Sequence, residues 1–138
     1  MTDPAERRDI QTREDIELVV KTFYQHSFQD EVLGPIFIDV AQMDLDVHIP
    51  IMCDFWENIL FQARKYPGGM GMVHFHLHTL IPLRHSYFMR WLAHWEAAVD
   101  EHFAGERAQT AKAHAAYVAE TFGTHFEQLS QQAGVTGD

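Results

Sequence analysis

The order of apolar and polar positions reads as helix along nearly the whole chain. Ile16, Val19, Val20, Phe23 and Tyr24 recur at helical spacing and so share one face. Thr12 followed by Asp15 has the form of a capping box, which predicts a first helix beginning near Thr12. Glu17 and Lys21 stand at i and i+4 on its outer side. Asp30 and Gly34-Pro35 interrupt the pattern, and Ile36-Phe37 is predicted to form a short helical turn. A second stripe contains His48, Met52, Phe55, Trp56 and Ile59. Pro50 lies inside it, and proline fits a helix only in the first turn. The second long helix is therefore expected to start close to His48, with Asp44 or Asp46 as its N-cap.

Tyr66-Pro67-Gly68-Gly69-Met70-Gly71 is punctuated as a flexible loop. A short helix is predicted over the histidine-rich run that follows, ending by Pro82. Phe88, Trp91, Leu92, Trp95 and Val99 define a long helix from about Ser86 to Phe103. After Gly105 a last long helix carries Ala111, Ala115, Val118, Phe122, Phe126 and Leu129 down one side. No segment alternates as a strand does, so the fold class is all-α, helix packed on helix. Residues 1–11 are polar and expected to be loosely held, 12–131 form the domain, and 132–138 form a flexible tail.

Composition narrows the function classes. A chain of 138 residues supports one domain with one core. A net charge of −10 argues against nucleic acid and anionic membranes as partners, since both need a basic face. No apolar run approaches the roughly 20 residues of a membrane span. The opening residues lack the apolar stretch of a secretory signal. The single cysteine, Cys53, excludes an internal disulfide and fits a reducing, cytoplasmic setting. Ten Phe, four Tyr and three Trp exceed what a small core needs. The surplus points either to a core that encloses something large and flat or to a merely aromatic core.

Four apolar faces each carry one polar group out of keeping with a core: Tyr24, His48, the run His74-Phe75-His76-Leu77-His78, and Trp91. Buried polar groups need partners, so four converging ones call for something polar between them. Phe23-Tyr24, Leu33-Gly34-Pro35-Ile36-Phe37, His48 with Phe55-Trp56, Tyr66-x-Gly68, His74-x-x-Leu77 and Phe88-x-x-Trp91-Leu92 follow one another in that order. Together they resemble the truncated haemoglobins, specifically group III, over about residues 10 to 130. The chain departs from that pattern at Gly69-Met70-Gly71, which stands where the family carries an Asn-Pro pair.

The resemblance implies a truncated globin fold, a two-over-two helical sandwich around haem b. It implies reversible binding of O2, and of other diatomics such as CO and NO, at a pentacoordinate or weakly hexacoordinate iron. His74 matches the proximal iron ligand, with His78, four residues on and on the same helical face, as its rival. Tyr24 and Trp91 match distal hydrogen-bond donors. His48 matches the distal gate, where it could bond the ligand, swing outward, or bind iron itself. Phe37 matches the aromatic that packs on the porphyrin, and Met52, Phe55 and Trp56 the lining of the pocket. Tyr66 and His85, with Arg64 and Lys65, flank the expected mouth, where the haem propionates need donors. An enzyme using the same pocket for NO dioxygenation or peroxidase-like chemistry, with an external reductase as electron source, is the second reading. A haem-free helical protein holding another metal at the histidine run is the third.

Overall fold

Thr12 and Asp15 do form a capping box: the Thr12 hydroxyl accepts the Asp15 N–H and the Asp15 carboxylate accepts the Thr12 N–H. The computed structural model describes residues 7–132. From that cap runs α1 (Arg13–Ser27), followed by α2 (Leu33–Pro35), which passes directly into a π-helical turn over Ile36–Val40. Then come α3 (Leu45–Phe61), α4 (Met70–Leu80), α5 (His85–His102) and α6 (Glu106–Gln132). No strand occurs among the described residues.

The helices form two crossed pairs. α5 and α6 make the most extensive contact, α1 packs on α3 and α5, and α3 touches α6. Small residues set the closest approach. Ala108, Ala111, Ala115 and Ala119 on α6 are each 0% exposed. A Cβ on Gly123 would lie 2.8 Å from the ring of His85, so α6 meets the start of α5 without room for a side chain there. The main core gathers Ile16, Val19, Val20 and Phe23 from α1, Cys53 and Trp56 from α3, and Trp95, Ala98 and Val99 from α5. A smaller cluster of Leu83, Phe88, Ala119 and Phe126 lies towards α4, with Leu77 and Phe122 packed against it.

Asp44 is the N-cap of α3, accepting the Asp46 N–H at 3.0 Å, but the helix begins at Leu45. Pro50 therefore sits beyond the first turn, which corrects the sequence-based expectation. The helix tolerates it because Asp46, whose carbonyl loses its donor to the proline ring, is exposed and can be served by solvent.

Of the segment expected to be loose, residues 1–6 lie outside the described residues. From Arg8 onward the chain is anchored. Arg8 makes a bidentate pair with Asp15, both bonds 2.7 Å, and Ile10 is 1% exposed in the core. Asp9 caps α6 from a distance: its carboxylate accepts the N–H groups of Arg107 and Ala108, each at 2.9 Å. Gly105 makes this possible, with φ at +142° and no side chain, since a Cβ would lie 2.5 Å from the Asp9 carboxyl carbon. Of the expected tail, residues 133–138 lie outside the described residues. No helix among those described is long and apolar enough to cross a membrane.

Candidate functional site

The inner face of α1 presents Tyr24, 6% exposed. Its ring lies edge-on to Phe23 at 4.8 Å, Phe28 at 5.8 Å, Phe37 at 6.0 Å and His48 at 5.6 Å between centroids. α1, the π-helical turn and α3 thus bring together three of the expected site residues: Tyr24, Phe37 and His48. The Tyr24 hydroxyl makes no hydrogen bond to a described residue. Burial pushes its pKa far above the ordinary phenol value, so it stays a donor. Trp91, half-buried on α5, meets the same group through Phe23 at 5.9 Å.

The corner between α1 and α2, which carries Phe28, is tied to α5 by Asp30. Its carboxylate accepts the Val32 and Leu33 N–H groups at 2.8 and 2.9 Å, Arg90 Nε at 3.1 Å and His94 Nε2 at 2.7 Å. Burial alone would raise its pKa, but these four donors outweigh it and hold the carboxyl well below the usual range.

α4 carries the histidine run. His74 Nδ1 lies 2.9 Å from the Met70 carbonyl. A carbonyl only accepts, so Nδ1 carries the proton and Nε2 keeps its lone pair. The ring sits near Phe122 at 5.3 Å and Phe88 at 6.2 Å. Burial lowers the His74 pKa despite the opposing carbonyl contact, so the ring is neutral at pH 7. Burial also lowers the His48 pKa, and the His74 imidazole adds to the effect.

His78 has the reverse arrangement. Leu83 N–H donates to its Nδ1 at 2.9 Å, so in the neutral ring the proton is on Nε2. His76 is exposed. The run is helical, so the three histidines do not converge, and no group of three or more His, Cys, Asp or Glu among the described residues is placed to hold a metal ion.

The other expected residues are distributed differently. Met52 is half-buried against the main core. Trp56 lies deeper than the Tyr24–His48 group, 3% exposed and stacked on Trp95 at 4.5 Å. Trp95 is core, its indole N–H bonded to the Ala111 carbonyl at 3.3 Å. Phe55 contacts Trp56 at 5.1 Å and Tyr66 at 5.4 Å. Tyr66 is held by Asn58, which accepts the Tyr66 N–H at 3.3 Å and donates to its carbonyl at 3.2 Å. Two of the side chains at the expected mouth, His85 and Lys65, lie against acidic groups. His85 Nε2 lies 3.1 Å from Glu120, and Lys65 pairs with Glu57 at 3.0 Å.

Sequence reasoning passed over His114, whose ring on α6 lies 5.9 Å from both Phe55 and Trp56. A signal was present, since His114 stands three residues after Ala111 and four before Val118, on their stripe. A surface cleft of about 430 Å³ lies along α4 and α6, lined by Gly71, Met72, Phe75, Thr121, Phe122, His125 and Phe126. A second, of about 370 Å³, lies by Asp9, Ile59 and Arg107. Neither is lined by Tyr24, His48, His74 or Trp91.

No family model matches the chain, and no curated protein matches it. Among solved structures, it is similar to a group III truncated haemoglobin from Campylobacter jejuni. The TM-score is 0.72, covering 89% of this chain and 94% of that one, at 23% sequence identity. The chain therefore has the truncated globin fold, a two-over-two helical sandwich.

Proposed function

We propose that the chain binds haem b between α3 and α4 and uses it to take up O2 reversibly, together with other small diatomics such as CO and NO. The observation that carries this reading is the state of His74. A neutral, half-buried imidazole with Nδ1–H held by a backbone carbonyl has its Nε2 lone pair available for an iron, and the carbonyl contact makes that nitrogen more basic. His78 offers the wrong nitrogen for this, because its Nδ1 lone pair is engaged by Leu83. The Tyr24 hydroxyl, with no bond to a described residue, fits the same reading: burial keeps it protonated, so it has a proton to donate to an acceptor that the bound group would bring.

Haem, when bound, supplies a metal centre that takes a diatomic ligand. His74 would hold it on one side. Tyr24 and Trp91 would donate hydrogen bonds to the ligand from the other, and the surrounding rings would keep water out, which strengthens those bonds. His48, whose ring lies 5.6 Å from that of Tyr24, would bond the ligand or close its path. Phe37 would pack on the porphyrin.

The test is an absorption spectrum of the chain expressed with adequate haem, ferric and ferrous, with and without CO. A Soret band that shifts on adding CO is the expected result, and a colourless protein refutes the reading. His74→Ala is expected to lose tight haem binding, whereas His78→Ala is expected to keep it.

A further inference from the structure

The three tryptophans of the chain form one line. Trp91 lies 6.4 Å from Trp95 with the ring planes 7° apart, and Trp95 lies 4.5 Å from Trp56 with the planes 12° apart. The line continues outward. Trp56 contacts the His114 ring at 5.9 Å, and His114 contacts Tyr117 at 6.4 Å. Its two ends differ. Trp56 and Trp95 are each 3% exposed, whereas Tyr117 is 68% exposed. Core packing accounts for the buried stack. It does not account for a run of aromatic contacts that leads from beside Tyr24 to a surface phenol.

We propose that this line is a one-electron conduit, by which Tyr117 on the surface delivers electrons through Trp56 and Trp95 to Trp91 beside the pocket. Indole is a readily oxidised side chain that can lose an electron without first losing a proton, and neighbouring indoles in contact exchange an electron faster than any diffusing reagent reaches them. Trp95 is a relay and not a resting place. Its N–H is bonded to the Ala111 carbonyl, which is too weak a base to take the proton, so an oxidised Trp95 stays a cation and passes the charge on. Tyr117 is the resting place, because its exposed hydroxyl can release its proton to water on oxidation and leave a neutral radical. Tyr24 is unsuited to that end of the line: burial opposes loss of its proton and no described group accepts it.

The conduit extends the haem reading, since the oxidant would react in that pocket. Hydrogen peroxide taken there accepts two electrons and two protons to give two waters. The electrons arrive one at a time along the line. Each oxidation of Tyr117 releases one proton, and a neutral phenol in solution restores it by giving up one electron and one proton, so that two phenols become two phenoxyl radicals per peroxide. A neutral donor is specified because the chain's net charge of −10 repels anionic ones.

The first test needs no haem. The full chain, with its helix content checked by circular dichroism, is flashed with ultraviolet light in the presence of an electron scavenger to oxidise tryptophan. The tryptophanyl absorption is expected to decay while the tyrosyl absorption rises, at a rate independent of protein concentration. Tyr117→Phe, a surface change, is expected to lose that rise, and Trp95→Phe to slow it. A tyrosyl rise that survives undiminished in Tyr117→Phe overturns the proposal. The second test treats the haem-loaded chain with hydrogen peroxide and a spin trap, and the adduct is located by peptide mass mapping. An adduct on Tyr117 supports the conduit, and an adduct on Tyr24 or Tyr66 instead overturns it. If no Soret band forms, the haem reading has failed, and the flash result alone decides the conduit.

Discussion

Replacing Tyr24 by Phe removes one oxygen and leaves its ring contacts with Phe23, Phe28, Phe37 and His48 in place. In the haem-loaded protein the lost bond to a partly negative ligand is worth about 1.5–3 kcal/mol, so O2 is expected to leave roughly 10- to 100-fold faster. CO carries little charge, and its release should change much less. Stopped-flow release of both gases checks this, and equal effects on the two would remove Tyr24 as a donor. Among the acids, Asp15 gives a pH prediction. The Arg8 guanidinium, opposed by burial and helped by the Gln11 and Thr12 N–H groups, holds its pKa down at about 2. The unfolded value is about 3.9. A carboxylate depressed in the folded state contributes stability that is complete above the unfolded pKa and disappears as pH falls towards the folded one. Urea midpoints should therefore drop between pH about 4 and about 2 in the parent and stay flatter there in Asp15→Asn, which should lose roughly 1–2 kcal/mol near neutrality.

Among the elements, α4 differs from its neighbours in having no buried residue. Met72 and Val73 are 75% and 64% exposed. Gly68 and Gly69 precede it, both with φ at +98°. The helix is held by a few side chains, chiefly His74 against Phe122 and His78 beneath Leu83. Sparse burial predicts low local stability, so amide hydrogens of α4 are expected to exchange faster than those of α1 and α5 in the haem-free chain and to slow when haem is added. Exchange measured by mass spectrometry decides it; uniform protection across α4 and α5 would contradict it. The helices themselves were legible in the sequence because their signals are local: the Thr12–Asp15 box, the Asp44 cap, and the glycines and prolines around α4. The Pro50 expectation erred because local rules place proline by preference, while the Asp44 cap and an exposed Asp46 moved the start of α3 earlier. In the site, Tyr24 and His48 could be grouped because each lies on a periodic face, and Phe37 joined them through the resemblance alone. His74 stands ahead of His78 by its match to the family pattern, whereas the backbone group that each ring meets, Met70 for one and Leu83 for the other, is not written in any local pattern. The engagement of His85 by Glu120 is a contact between α5 and α6 that no local pattern announces.

For the whole molecule, Cys53 reports on global opening. It is 0% exposed where α1 and α3 meet, and burial raises its thiol pKa to about 11. The thiolate is the reactive form, so the folded protein should resist an aromatic disulfide reagent at pH 8. Labelling is expected only through unfolding, at a rate that rises with urea in step with loss of helix content. Rapid labelling of the native protein would show that α1 and α3 part without global unfolding. The link between Asp9 and the start of α6 bears on how the molecule is made. Synthesis runs at roughly 5–20 residues per second, and domains close as units once their parts have emerged. Asp9 is made 98 residues ahead of Arg107. The first turn of α6 thus has no side-chain lid until these two distant segments meet, and the fold is sealed late by a carboxylate made early.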